Sequence, residues 1–392
     1  TESMITVSQA LEVIDKHCIA GKSETKHVFK TLGLVLAEDV YSPMNMPPFR
    51  QSAMDGYAII YSNQKVLKVI DEIQAGAAKK VLLTEGEAAR IFTGAKMPEN
   101  ADTVVIQEDV IRQNDEIIIQ NIPKPSANVR PIGEQIKSGE IALQKGTILN
   151  EASIGFLAGL GIEKVNVYKT PKVRILVTGN ELQQLGKKLV EGQIYESNSV
   201  TLKIALKRFG IKKIKISRVE DTLSSTTKAI SACLKKADIV LISGGISVGD
   251  YDFVKEALHQ NGVEEIFYKV NQKPGKPLWF GKKKSKFVFA LPGNPASSLT
   301  CFYIYVLPLL KAQMGFEKFH LPRATACASS DINNSTGKTL FLKGNVSDSK
   351  AEALTGQASS MLRSFAESNA LLMVPKEKEI IKKGEEIKYL KL

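Results

Sequence analysis

The chain has 392 residues, 43% hydrophobic and 24% charged, with 53 Lys+Arg against 41 Asp+Glu and hence a formal net charge of +12. That length predicts two to four domains at ~100–200 residues each. The composition excludes wholesale disorder, a collagen-like repeat and a disulfide scaffold. The longest apolar stretch, Cys301–Leu310, is interrupted by Pro308 and runs into Lys311, so it falls well short of the ~20 apolar residues of a membrane span.

The first twenty residues contain Glu2, Glu12 and Asp15 without a continuous apolar run, so no signal peptide is read. Cys18, Cys233, Cys301 and Cys327 show no C-x-x-C spacing. They read as reduced thiols of a cytoplasmic protein. His17, His27, His259 and His320 form no zinc-binding pattern, which leaves a hard ion on carboxylates as the expected metal. A basic balance favours anionic partners. With no zinc-finger or RNP-type motif, a nucleic-acid module is not expected.

In chain order, Ala10, Leu11 and Ile14 share one face of a helix near the start. Short apolar runs follow at Val66–Ile70, Val81–Leu83, Thr103–Ile106 and Ile117–Ile119, and they predict a β segment over 46–127. A short helix is expected near Glu151–Leu160. The middle third alternates: strand Lys172–Val177, helix from Ser197 or Asn198 to Phe209, strand Lys213–Val219, helix Ser224–Lys236, strand Asp238–Ile242, helix Asp252–Gln260. Strands Ile266–Val270 and Phe287–Leu291 come next, then a long apolar helix to about Gln313. Lys282, Lys283, Lys284 and Lys286 read as a solvated hairpin turn between two apolar runs. Alternating strands and helices predict a parallel, doubly wound α/β sheet. Short strands such as Thr339–Lys343 and Ala370–Val374 predict a small barrel or sandwich at the end. The expected divisions are 1–45 with 128–168, 46–127, 169–318 and 319–392.

Ligands of such sheets bind beyond the carboxyl ends of the strands. Three unusual loops sit there: Thr178–Glu181, Ser243–Asp252 and Pro292–Ser297. In the second, Gly244, Gly245 and Ser247 give a backbone cradle for an anion, and Asp250 and Asp252 add carboxylates suited to a bridging magnesium ion. Both aspartates serve equally well as helix caps. In the third, Pro292 and Pro295 stiffen a turn whose amides, with Asn294 and Ser297, suit an oxyanion. Lys273-Pro274-Gly275-Lys276-Pro277 presents two lysines on a rigid turn, with Lys269 four residues before. Neither a P-loop nor a dinucleotide G-x-G-x-x-G occurs.

The ordered set SAMDGYAI (52–59), TGA (93–95), TGNEL (178–182), SGGISVGDYD (243–252), KPGKP (273–277) and LPGNPAS (291–297) resembles the molybdopterin molybdenumtransferase family, which includes the E domain of gephyrin. The resemblance spans nearly the whole chain. It implies an elongated, Mg2+-using homodimer with a central molybdopterin-binding α/β domain and flanking mainly-β domains: an N-terminal dimerisation or linker domain, an inserted β domain and a C-terminal barrel. The implied reaction takes adenylylated molybdopterin and molybdate, releases AMP and leaves molybdenum on the pterin dithiolene. A molybdopterin adenylyltransferase is the implied upstream partner. Carried over residue by residue, the resemblance makes Asp55, Thr93, Glu181, Asp221 and Asp252 catalytic. Glu181, Asp221, Asp250 and Asp252 become magnesium ligands. Lys269, Lys273, Lys276, Lys343 and Ser359 join the glycines and prolines above in substrate binding. At 343 the family often has Arg, and Lys keeps the charge without the bidentate geometry. A scaffold or receptor-anchoring role of the gephyrin E type is the alternative implied by the same resemblance.

Overall fold

The structure, a computed structural model, describes residues 4–246 and 253–392. It forms two compact units. One holds residues 25–32 and 38–166; the other holds residues up to 24, 33–37 and 167–392.

Helix α1 (Val7–His17) opens with a reciprocal cap, the Thr6 hydroxyl accepting from the Gln9 amide while the Gln9 side chain accepts from the Thr6 amide. Its buried face, Val7, Ala10 and Ile14, enters the core of the second unit beside Ile175 and Phe280. Three apolar residues at helical spacing predict the helix but do not name the surface they cover.

The first unit contains a six-stranded mixed sheet of β1 (Gly56–Ile59), β2 (Val66–Ile73), β3 (Glu87–Ile91), β4 (Thr103–Ile106), β5 (Val110–Gln113) and β6 (Glu116–Ile119). Its order is β4-β1-β3-β2-β6-β5. Central β1 pairs antiparallel with both β3 and β4. Gly56 is obligatory there, because a β-carbon would come within 1.9 Å of the Val105 carbonyl oxygen. Val81 and Leu83 are buried in this unit's core but lie in irregular chain, not in the expected strand. Helix α2 (Glu151–Gly159) lies in the same unit, where the sequence predicts a short helix.

The second unit is built on β7 (Val173–Thr178), α3 (Asn198–Arg208), β8 (Ile214–Val219), α4 (Leu223–Lys236), β9 (Ile239–Ser243), α5 (Phe253–Gln260), β10 (Glu264–Tyr268), β11 (Trp279–Lys283) and β12 (Lys286–Leu291). The sheet order is β8-β7-β9-β12-β11-β10. Strands β8, β7, β9 and β12 are parallel. Alternate residues face opposite cores: Ile175 and Leu241 pack with α1 and α3, whereas Leu176, Val240 and Ile242 pack with α4 and α5. Burial on both faces explains why these strands read as continuous apolar runs. The sheet is not wholly parallel as the alternation predicts. Strand β11 runs antiparallel to both neighbours, because Lys284-Ser285 is a two-residue turn and only antiparallel strands close so tightly. This is the expected lysine hairpin, with Lys284 at φ 56°. Three of its lysines are engaged: Lys282 Nζ lies 4.0 Å from Glu264 Oε2, Lys283 Nζ donates to the Asn261 carbonyl, and Lys286 Nζ donates to the Leu234 and Ala237 carbonyls at the end of α4.

The expected long apolar helix runs as α6 (Pro295–Cys301) and α7 (Leu307–Gln313) joined by a π-helical turn, Phe302–Val306. Pro308 has no amide hydrogen and crowds the carbonyl four residues back, which the wider turn accommodates. Beyond it, β13 (Arg323–Ala328), β14 (Thr339–Ser347), β15 (Lys350–Ala353), β16 (Ala370–Val374) and β17 (Glu386–Lys391) close a ring β14-β15-β13-β17-β16-β14. The ring is a barrel, the first of the two forms the sequence allows.

Candidate active site

Among the parallel strands the chain order is 2-1-3-4, so the topology reverses between β7 and β9, where ligands of open α/β sheets bind. The two strands end at Thr178 and Ser243, both buried. The Thr178 hydroxyl donates to Asp221 Oδ1 at 2.9 Å, drawing the end of β8 onto the end of β7. The Asn180 side chain accepts from the Asp221 amide at 3.4 Å. The Glu181 carboxylate folds over Gly179, its Oε2 lying 2.9 Å from where a β-carbon would stand. Both carboxylates are thus tied to the Thr178–Asn180 turn at the end of β7. Across the switch point Gly244, at φ 91°, brings its backbone onto Thr178, and a β-carbon there would sit 2.5 Å from the Thr178 carbonyl oxygen. No residue other than glycine meets both conditions. Ser247, Asp250 and Asp252 of the same loop lie outside the described residues.

Asn198 ties this crevice to the next strand. Its Nδ2 donates to Ser243 Oγ at 2.9 Å and to the Gly293 carbonyl at 2.7 Å, and its buried Oδ1 has no protein partner among the described residues. Glu196, 3% exposed, accepts from the Ser199 amide at 2.7 Å and from the Ser199 hydroxyl, and pairs with Arg218. The sequence reading uses Ser197 or Asn198 only as a cap. Its run of polar residues at the start of a core helix is the signal it passes over.

The Pro292–Ser297 turn is not an open cradle. The Ser359 carbonyl accepts from the Ala296 and Ser297 amides at 2.9 and 3.3 Å, and Asn294 Nδ2 donates to Ser359 Oγ at 2.9 Å. A loop of the barrel thus covers the turn and brings Asn294, Ser297 and Ser359 together, with Pro292 and Pro295 as its framework. Lys343 does not join them as a ligand-facing cation. Its side chain is 2% exposed, and Nζ donates to the carbonyls of Gly356, Ala358 and Met361 at 2.7, 3.2 and 2.9 Å. An ammonium has three donors and all are used. Lys343 shapes the loop that carries Ser359.

The lysine turn is held from below. Buried Gln272 donates to the Pro274 carbonyl at 3.0 Å and accepts from the Tyr305 hydroxyl on the π-helical turn. Gly275 lies against Ser297 and Cys301. Lys273 and Lys276 are exposed on this anchored turn. Lys269, at φ 67°, places Nζ 4.6 Å from the Tyr268 ring centroid, and the Tyr268 hydroxyl donates to the Ile246 carbonyl at 3.1 Å.

In the other unit, Asp55 Oδ1 accepts from the Thr93 amide at 2.7 Å and from the Thr93 hydroxyl at 2.8 Å. The amide bond first and the hydroxyl bond second hold this carboxyl below the usual aspartate range; desolvation opposes them, and the Arg90 charge adds a smaller lowering effect. Arg90 donates to the Gly56 carbonyl and to Gln107, and stacks on Tyr57 and Phe92. Sequence pairs the two turns only through family resemblance; the sheet puts them in contact.

Among the described residues there is no group of three or more His, Cys, Asp or Glu arranged to hold a metal. The Asp221 and Glu181 carboxylates are oxygen donors, and among the described residues no thiol or imidazole is grouped with them, which fits a hard ion such as magnesium.

An open α/β sheet with carboxylates at its switch point and an anchored lysine turn nearby defines a class of small-anion and cofactor-binding modules. Residues 5–161 match the MoeA N-terminal region (domain I and II), 174–312 a probable molybdopterin binding domain, and 325–392 the MoeA C-terminal region (domain IV). The chain is 34% identical to the molybdopterin molybdenumtransferase of Haemophilus influenzae over 98% of each chain. To that of a Nostoc species it is 37% identical, over 92% of this chain and 86% of the relative. A solved molybdopterin biosynthesis moeA protein from Pyrococcus horikoshii superposes with a TM-score of 0.85 at 32% identity, covering 99% of both chains. The chain belongs to the molybdopterin molybdenumtransferase family, and it is a transferase of molybdenum cofactor biosynthesis. No helix among the described residues is long and apolar enough to cross a membrane.

Proposed function

We propose that the chain inserts molybdate into adenylylated molybdopterin with release of AMP, as a Mg2+-dependent cytoplasmic homodimer supplied by a molybdopterin adenylyltransferase. The observation that carries this reading is the pairing of Thr178 with Asp221 at the strand switch point, with Glu181 beside it. Carboxylates there would repel a phosphorylated pterin, so they call for a cation. Asp221 and Glu181, with Asp250 and Asp252, would hold magnesium, which would neutralise the charge of the phosphoanhydride.

The chain's own groups divide the remaining work. The Gly244–Gly245 backbone seats the pterin phosphate, and the Thr178 hydroxyl fixes Asp221 in orientation. Lys273 and Lys276, with Lys269 behind them, draw the tetrahedral molybdate dianion toward Asn294, Ser297 and Ser359 by charge-assisted hydrogen bonds. Thr93 keeps Asp55 ionised and fixed. Water cleaves the phosphoanhydride, giving pterin phosphate and AMP, and molybdate exchanges one oxo group, lost as water with the two thiol protons, for the two dithiolene sulfurs. In this reading Asp55 and Thr93 of one subunit serve the α/β site of its partner.

The test is direct. Pure protein with adenylylated molybdopterin, Mg2+ and molybdate releases AMP and yields active cofactor. Chains carrying Asp55→Ala and chains carrying Asp252→Ala, each inactive alone, regain part of the activity when mixed. Absence of AMP release, or a monomer in light scattering at micromolar concentration, refutes the reading.

A further inference from the structure

The amino-terminal edge of the parallel strands, opposite the candidate active site, holds a cavity of about 640 Å³ lined entirely within the second unit. Four lysines line it: Lys22, Lys169, Lys172 just before β7 and Lys213 just before β8. Among the described residues none of the four ammonium groups has an ion-pair or hydrogen-bond partner. Among the described residues the acids lining the cavity are Glu24 and Asp238; both are engaged, Asp238 by the Lys172 amide at 2.7 Å. The charge excess continues along an adjoining groove of about 260 Å³, where Lys172 and Lys213 are joined by Arg174, Lys212, Lys215 and Lys236 and, among the described residues, by no acid.

Such a surface differs from an ordinary solvated face in two respects. Its cations converge on a concavity, where like charges repel at close range without a counter-anion. Its wall is apolar and aromatic on one side: His17 and Phe287 meet edge-on with centroids 5.7 Å apart, and Ile19 stands 69% exposed beside them. The His17 ring is fixed further by its Nδ1 hydrogen bond to the Val13 carbonyl at 2.8 Å, which leaves Nε2 without a partner among the described residues. A concave site of several hundred cubic ångströms with an apolar wall and a few charged groups suits a small molecule.

We propose that this cavity binds a nucleoside polyphosphate, the phosphates on Lys172, Lys213 and the adjoining groove, the flat base against His17, Ile19 and Phe287. The site is separate from the catalytic reading above and does not depend on it. Its position at the far end of β7, whose other end is Thr178, would let occupancy be sensed through the strand that carries the active-site pair.

Calorimetric titration of the full-length protein with ADP tests the site, with inorganic pyrophosphate and adenosine as separate probes. ADP is expected to bind saturably, more weakly as salt rises, and more tightly than either fragment. The double variant Lys172→Glu/Lys213→Glu is expected to weaken ADP binding by roughly a hundredfold, about tenfold for each lost charge-assisted contact. The Asp221→Ala variant retains saturable ADP binding that the lysine variants weaken. If the double charge reversal fails to fold, Lys22→Ala/Lys169→Ala carries the same test, with a weaker but measurable loss. No saturable ADP binding overturns the proposal. So does ADP affinity unchanged by the lysine variants, pyrophosphate binding as tightly as ADP, or ADP binding lost in Asp221→Ala.

Discussion

Replacing Lys343 with Met separates two roles that sequence alone leaves joined. If Lys343 faced an oxyanion, Lys343→Met would weaken molybdate and leave the fold intact. The structure gives the opposite result. The ammonium donates to three carbonyls and is 2% exposed. Hydrogen bonds to a charged group contribute about 1.5–3 kcal/mol each, so three contribute about 4.5–9 kcal/mol in gross terms. Relief of the buried ammonium's desolvation returns several kcal/mol. The expected net loss is about 2–4 kcal/mol, within the range for breaking a buried polar network. For a compact unit of this size that lowers its melting temperature by roughly 4–16 °C. The freed Gly356–Met361 loop also becomes the preferred site of limited proteolysis. Differential scanning calorimetry and a proteolysis time course read both effects. A Lys343→Met protein with wild-type melting and cleavage, but a raised molybdate requirement, would refute the structural role and restore the ligand-facing one.

Thr93→Val removes one of the two Thr93 hydrogen bonds to Asp55, so the Asp55 pKa should rise but stay below the ordinary aspartate value, because the amide bond remains. Since its folded pKa is depressed, Asp55 contributes stability above about pH 4 and loses it as pH falls through the folded value; carboxyl NMR titration of both proteins checks the direction, and an unchanged pKa contradicts it. Asn198→Leu removes the two bonds that join Ser243 to Gly293, about 1–3 kcal/mol less what the orphaned Oδ1 returns. Thermal melting should fall by about 2–8 °C, and an unchanged melt would mean that the strand ends are held by other contacts. Lys273→Ala and Lys276→Ala should each raise the molybdate concentration for half-maximal insertion by roughly ten- to a hundredfold at constant melting temperature; titrations that overlay wild type would make the turn a solvated one.

Periodicity and punctuation alone determined much of the central sheet. Continuous apolar runs such as Asp238–Ile242, ended by glycine-rich loops, mark strands buried on both faces, and helical spacing at Leu202, Ala205, Leu206 and Phe209 marks the crossover between them. Both signals are local. The motif order then fixed the family, because six short motifs in sequence carry information that no single turn does. Tertiary structure decided what depends on partners distant in the chain. The lysine hairpin is legible in sequence, but that it inserts β11 antiparallel between β12 and β10 of the otherwise parallel sheet is not. The lysine at 343 is charged in any context, yet three carbonyls more than a dozen residues away make it a structural post and not a ligand. The amides of Ala296 and Ser297 look free in sequence and are taken by Ser359. Asn198 looks like a helix cap and instead bridges two strand ends. Local sequence sets backbone propensity and side-chain chemistry; which donor meets which acceptor is a long-range contact, and only the folded chain chooses it.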